Sequence, residues 1–219
     1  MLSAILPLLL NATLETLYMV SVALVISLLI GGPLGILLAT SRRGELFEAP
    51  LFQLIAGPVI NAARSIPFII LAVAIIPFTR LVAGTSIGTS AAIVPLTVAA
   101  VPFLARIVEG AVREVDSGLI EAAQAMGARP WQVVAKVLLP EALPGLIHGI
   151  TLAAVAMIGY SAMVGAVGGG GLGDLGIRYG YQRFRPDMMI AVVITLIVVV
   201  QGVQMLGDWL ARKADKRNI

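Results

Sequence analysis

An all-α, polytopic membrane protein with five transmembrane helices is the fold class this sequence predicts, and three observations predict it. First, only 12% of the 219 residues are charged and 59% are hydrophobic, with a mean hydropathy of +1.00. A soluble domain carries about a quarter charged residues, so lipid is the natural solvent for much of this surface. Second, the charges gather in short clusters separated by apolar runs long enough to cross a bilayer, which takes about 20 residues. Third, Lys and Arg divide unequally between the alternate connections.

The spans follow in order. Thr16 to Ser41 contains no charge and forms the first. Arg64 and Arg80 are the only charges between Ala49 and Ala105. Sixteen residues of straight helix cover about 24 Å, which lets each Arg snorkel to an opposite interface. The second span is therefore expected from about Asn61 to Arg80, preceded by an interfacial segment from Phe47. Turn residues Ala83-Gly84-Thr85-Ser86 introduce a third span reaching about Arg106. The run from Glu141 to Asp174, interrupted only by His148, holds a fourth span and a non-helical tail. Met188 to Gly207 forms the fifth.

An odd number of crossings puts the termini on opposite sides. With the C-terminus in the cytoplasm, eleven basic residues face inward: Arg42, Arg43, Arg64, Arg106, Arg113, Arg129, Lys136, Arg212, Lys213, Lys216 and Arg217. Four face outward: Arg80, Arg178, Arg183 and Arg185. That imbalance is the positive-inside pattern, so the N-terminus is expected outside. No Lys or Arg precedes Arg42, so the apolar start lacks the basic n-region of a secretory signal and reads as retained. The chain is expected to form a single transmembrane domain over residues 1–219.

Composition also excludes chemistry. Cysteine is absent, which removes disulfides, thiolate metal sites and cysteine nucleophiles. The three Lys, at 136, 213 and 216, follow Ala, Arg and Asp, so none completes a phosphate-cradling G-x-x-x-x-G-K-[ST] loop. The glycine run Gly165 to Gly173 lacks such a Lys. It reads either as a flexible turn or as irregular backbone buried in protein. The sole histidine, His148, lies 220° around a helix from Ser161 at 100° per residue, too far to form a nucleophile–base pair. The span centres carry no Asp or Glu for ion coupling. Basic residues form no continuous stripe, so nucleic acid is not an expected partner.

The segment between the third and fourth spans carries the mechanism. Asp116 and Ser117 are good helix N-caps and Gly127 a good C-terminal stop, enclosing a helix of about two and a half turns. Such a helix is too short to stand alone and must pack against something, either as a cap on its own bundle or docked in a groove on a cytoplasmic partner. The run Glu121-Ala122-Ala123, then Gly127, then Leu138-Leu139-Pro140 resembles the signature loop of permease subunits of bacterial ABC importers. Further runs are similar to the methionine ABC transporter permease family: Arg64-Ser65-Ile66-Pro67-Phe68-Ile69, Ile76-Pro77-Phe78-Thr79-Arg80, Lys136 to Gly145 and Gly159-Tyr160-Ser161-Ala162-Met163 among them.

The resemblance implies a type I ABC importer permease fold, with residues 116–140 as a cytoplasmic coupling loop. It implies a coupling helix that contacts a separate ATPase through Gly118, Leu119, Ile120, Glu121, Ala122, Ala123, Met126, Gly127, Arg129 and Pro130. Partners implied are a second permease copy, two ATP-binding subunits, and an external methionine-binding protein, in a bacterial inner membrane. ATP and Mg would be bound by the ATPase, leaving this chain without a cofactor and without enzymatic activity of its own. Ser161, Met163 and Val164 are the expected gate or pathway residues. A permease for another amino acid or small solute, or an ion-coupled secondary transporter, stays open as an alternative.

Overall fold

The computed structural model describes residues 2–42 and 45–215. Arg43, Lys216 and Arg217, which contribute to the charge asymmetry, lie outside the described residues. The described chain is helical, with no strand. Its elements are α1 (Leu2–Thr40), α2 (Pro50–Arg64), α3 (Phe68–Ala74), α4 (Ile76–Ala83) and α5 (Thr89–Arg113), then α6 (Ser117–Ala125), α7 (Pro130–Val133), α8 (Leu139–Ala166), α9 (Gly171–Leu175) and α10 (Pro186–Ala214). Four helices among the described residues are long and apolar enough to cross a bilayer: Ile5–Thr40, Thr89–Arg113, Pro130–Ala166 and Pro186–Ala214. A fifth crossing depends on the bent pair Pro50–Arg64 and Phe68–Ala74.

The centre of the molecule is α1 against α5. Ser27, Gly31 and Gly35 recur every four residues along α1 and so share one face. Ser27 Oγ donates to the Thr97 carbonyl across the interface at 3.2 Å. A Cβ added at Gly31 would lie 2.7 Å from the Val101 carbonyl oxygen, and one at Gly35 would strike the Ala105 carbonyl and Val108. Small residues at this spacing let two backbones meet, which is how helices gain packing where lipid removes the hydrophobic drive. Around this pair, Met19, Leu96, Met157, Ile158 and Val164 form the main buried cluster. Phe68 of α3 joins it, stacked on Tyr160 with ring centroids 4.7 Å apart.

The expected second span is not one helix. The helix that should begin near Asn61 ends at Arg64, and the chain bends by 99° before α3. Pro67 explains the break: proline excludes the α conformation at Ile66 and lacks the N–H to continue the ladder. Pro67 itself is extended, at φ −57° and ψ 132°. A second interruption at Ile75, φ −93° and ψ 12°, precedes Pro77 in the first turn of α4. Arg64 and Arg80 are therefore not joined by a straight helix, and the 24 Å argument for their placement fails.

Other boundaries shift outward. The third span was expected to end near Arg106 but continues to Arg113, because Glu109 is neutralised by both flanking arginines. The first begins by Leu2 rather than Thr16, and carries Glu15 within it. The last runs from Pro186 to Ala214. The fourth begins at Pro130, well before Glu141, so Lys136 to Pro140 is helix and not loop. Its turn Val134–Leu138 is a π-helix in which Leu139 N–H reaches back to the Val134 carbonyl. Pro140 accounts for this widening, since it cannot donate to the Lys136 carbonyl and its ring crowds it.

The glycine run is folded into the protein, with Gly165, Gly169 and Gly171 buried. Gly168, Gly170 and Gly171 take φ of +90°, +80° and +75°, which side chains disfavour. The turn delivers Gly171 N–H to Glu15 Oε2 at 2.8 Å and Leu172 N–H to Thr16 Oγ1 at 2.9 Å. The Gly168 carbonyl accepts from Gly88 N–H at 2.9 Å. Irregular backbone packed inside protein is the form a membrane tolerates. These contacts put the start of α1 beside α9 and the start of α10. The ends of α5 and α10 and the start of α8 meet at the opposite end of the bundle, where Glu114, Glu141 and Asp215 line one cleft.

Candidate functional site

Between α5 and α7 the chain makes its short helix as the caps dictate. Asp116 Oδ1 accepts from Gly118 N–H at 2.7 Å, satisfying one of the orphan donors of α6. At the other end Gly127 has φ +81°. Gly127 N–H donates to the Gln124 carbonyl at 2.9 Å and Ala128 N–H to the Ala123 carbonyl at 3.1 Å. That pair of bonds is the Schellman motif. Arg129 then starts α7, with its N–H donating to Gln132 Oε1 at 2.8 Å and Pro130 in the first turn.

One side of α6 is anchored. Ala123 is buried and Ile120 packs with it against Val112, Val115, Val133 and Leu138. The rest is open. Leu119, Ala122 and Met126 fall within about 60° of one another at 100° per residue. All three are exposed, Met126 at 83%. Trp131, 58% exposed, extends this apolar surface onto α7. Beneath Met126 and Gly127 a cleft of about 310 Å³ is lined by Ala128, Gln132 and Lys136.

Glu121 and Gln124 take the other flank. They line a second cleft of about 300 Å³ together with Thr40, Glu45, Arg113 and Ser117. Glu121 is exposed and makes no ion pair among the described residues. The ten residues assigned to the coupling surface are thus divided by the fold. Ala123 and much of Ile120 are spent on attachment. Leu119, Ala122 and Met126 form an apolar flank, with Glu121 on a polar one. Gly118, Gly127, Arg129 and Pro130 shape the two helix ends.

The three residues expected at a gate also separate. Ser161 is buried and donates to its own helix, to the Ile158 carbonyl at 2.7 Å. Val164 is 5% exposed in the main cluster. Only Met163 is open, at 47%. Its neighbours at 161 and 164 face the core because α8 packs there on α1 and α5.

Sequence reasoning missed an ion cluster near the end of α5. Glu109 is 4% exposed and pairs with Arg106 at 2.5 Å and Arg113 at 2.8 Å. The i, i+3, i+7 spacing was a readable signal of one helix face, lost because the span was ended at Arg106. His148 is exposed, with Nδ1 3.7 Å from Asp208 Oδ1 across to α10. Among the described residues no group of His, Asp and Glu is arranged to hold a metal.

Comparison with known proteins gives a consistent picture. Residues 31–218 match the family model described as binding-protein-dependent transport system inner membrane component. A probable D-methionine transport system permease protein MetI of Vibrio cholerae is 52% identical over 210 residues, covering 96% of this chain and 93% of that protein. The methionine import system permease protein MetP of Bacillus subtilis is 43% identical, covering 94% and 93%. Among solved structures, a chain of the MetNI methionine ABC transporter in inward-facing conformation superposes with a TM-score of 0.93 at 48% identity, covering 95% of this chain and 97% of that one. A chain of an amino acid ABC transporter crystallised with histidines gives 0.79 at 20% identity, which shows the fold alone.

Proposed function

The chain belongs to the family of binding-protein-dependent transport system inner membrane components, and from that premise we propose that it is the pathway-forming permease of an ATP-driven methionine importer. The observation that carries the mechanism is α6: a capped helix anchored along one edge, with Leu119, Ala122 and Met126 exposed beside it. Contiguous exposed apolar side chains on a capped helix suit a protein partner. The family of this chain and its lack of a phosphate-cradling loop support a separate ATPase as that partner. The methionine assignment is supported by the relatives reported above.

In this reading two copies of the chain enclose one pathway in a bacterial inner membrane. Each copy crosses five times, the bent α2–α3–α4 segment supplying the second crossing, with the N-terminus outside and the C-terminus in the cytoplasm. Residues 1–219 form one transmembrane domain, and residues 116–140 form its coupling segment. Two ATP-binding subunits seat on the α6 surfaces and hold the ATP and Mg, and this chain catalyses no reaction. An external methionine-binding protein delivers the amino acid at the end that carries the glycine run. Met163, open on α8, lines the pathway. Closure of the ATPases draws the two α6 helices together and opens the bundle outward, and hydrolysis resets it.

The test is labelled methionine uptake into proteoliposomes holding this chain, its co-purified ATPase and the binding protein, with ATP inside or omitted. Uptake that requires ATP and every subunit is expected. Flux through this chain alone would instead make it a channel or secondary transporter. Gly127→Asp strains the φ +81° turn, and Glu121→Lys adds a cation to the cleft that Arg113 lines. Both are expected to insert and yet to waste ATP without import. Normal import by either at normal abundance removes α6 from the mechanism.

A further inference from the structure

Helix α5 leads into α6 through Glu114, Val115 and Asp116, so a displacement of α6 pulls first on the last turns of α5. Those turns carry the buried Glu109. Its two oxygens are taken by different cations, Oε2 by Arg106 Nη1 and Oε1 by Arg113 Nη2. Each guanidinium then reaches another helix. Arg106 Nη2 donates to the Gly57 carbonyl of α2 at 2.8 Å. Arg113 Nη2 donates to the Leu38 carbonyl at 3.0 Å, near the end of α1 where carbonyls lack intrahelical partners. Arg106 Nε has no acceptor among the described residues, so Glu109 and Gly57 alone orient that fork.

A buried carboxylate with two arginines is weak evidence for stability, because apolar side chains of the same volume often hold as well. Its geometry has a consequence, however: one carboxylate aims two planar forks at the backbones of two other helices. A fork can bond a carboxylate and a carbonyl at once, which a lysine ammonium cannot do with the same fixed geometry.

We propose that Glu109 is a positioning residue for transport, holding Arg106 and Arg113 so that α1 and α2 move with α5 as one body when α6 is displaced. The inference rests on the reading of α6 as the ATPase contact. Without the joint, α5 moves and α1 and α2 lag, so ATP is hydrolysed with less import.

The experiment uses the whole transporter in proteoliposomes and measures ATP hydrolysed per methionine imported. A merely structural role reduces the amount of assembled complex, and hydrolysis and import fall together at constant ratio. A positioning role raises the ratio. Glu109→Gln keeps the shape and removes the charge, and is expected to raise it roughly tenfold, while Arg106→Lys, which keeps a cation beside Glu109 but loses the fork to Gly57, raises it roughly threefold. Glu109→Asp, a carboxylate one methylene shorter, brings the ratio part of the way back.

An unchanged ratio in assembled Arg106→Lys overturns the proposal, whether or not Glu109→Gln assembles. If the wild type imports another solute, the ratio is read with that solute, and the substrate assignment fails separately from the joint. If Gly127→Asp and Glu121→Lys import normally while Arg106→Lys raises the ratio, the reading of α6 fails, and the tie of α5 to α1 and α2 carries a stroke that enters by another contact.

Discussion

At the end of the bundle that carries α6, long side chains and caps are added to the α1–α5 seam: Arg106 reaches α2, Arg113 reaches α1, and Asp116 with Gly127 closes a helix that touches the rest along one edge. At the opposite end α1, α8 and α9 meet through bare backbone. Gly171 and Leu172 present N–H groups directly to Glu15 and Thr16, and Gly165 and Gly173 bring α8 and α9 to contact with no side chain between them. The difference lies in what carries the contact. At the α6 end a planar guanidinium bonds a carboxylate and a carbonyl in one geometry, so the tie is made by side chains that a substitution can remove singly. At the other end the close-packed backbone of α8 and α9 leaves no side chain to remove, and any added atom must displace a neighbour.

The comparison breaks most easily where backbone contact runs the length of both ends, at the α1–α5 seam. Gly35→Val would drive a branched side chain into the Ala105 carbonyl and Val108. Its expected cost is about 3 kcal/mol or more, seen as loss of folded chain in detergent unfolding and as loss of assembled complex. Retention of wild-type stability would mean that α1 and α5 are less tightly seated than the glycines indicate.

Gly171→Ala tests the glycine end by itself. The new methyl would lie 2.6 Å from Thr16 Oγ1 and Met19 Cε, at a φ of +75°. Expected destabilisation is about 2 kcal/mol, from strain and crowding together. Amide exchange should rise at Gly171 and Leu172 while α6 keeps its protection. A uniform rise across the chain would show that the two ends are not separate units.

Asp116→Ala is expected to have the smallest effect on stability of the three and still to reduce function. Losing the cap costs about 1 kcal/mol, confined to α6, so the unfolding midpoint hardly moves. Exchange in α6 rises and import falls several-fold, with the proposed ATPase contact at Leu119, Ala122 and Met126 retained. Unaltered import would show that the partner holds α6 helical without help from its cap.

Much of this was legible in residues 116–130. Asp116, Gly127 and Pro130 each act through their own backbone neighbourhood, so the type of residue states the structure without knowledge of anything distant. The same holds for the apolar runs at α1, α5, α8 and α10, which only helix can satisfy in lipid. Pro67 was equally visible, yet the even charge spacing of Arg64 and Arg80 suggested a straight span across it. There the local rule was the better guide and the longer-range inference the weaker one.

The sequence alone thus determined an all-helical membrane protein with a capped helix between its third and fourth long apolar segments and no nucleotide loop of its own. Only the tertiary structure decided that Glu109 is a buried three-way tie, that Ser161 and Val164 face the core while Met163 does not, and that the glycine run is a seat for α1. Helix formation and capping depend on bonds within a turn or two, which composition and spacing encode. Burial and close approach depend on which face another helix happens to cover, and that is settled by packing among segments as far apart as Glu15 and Gly171.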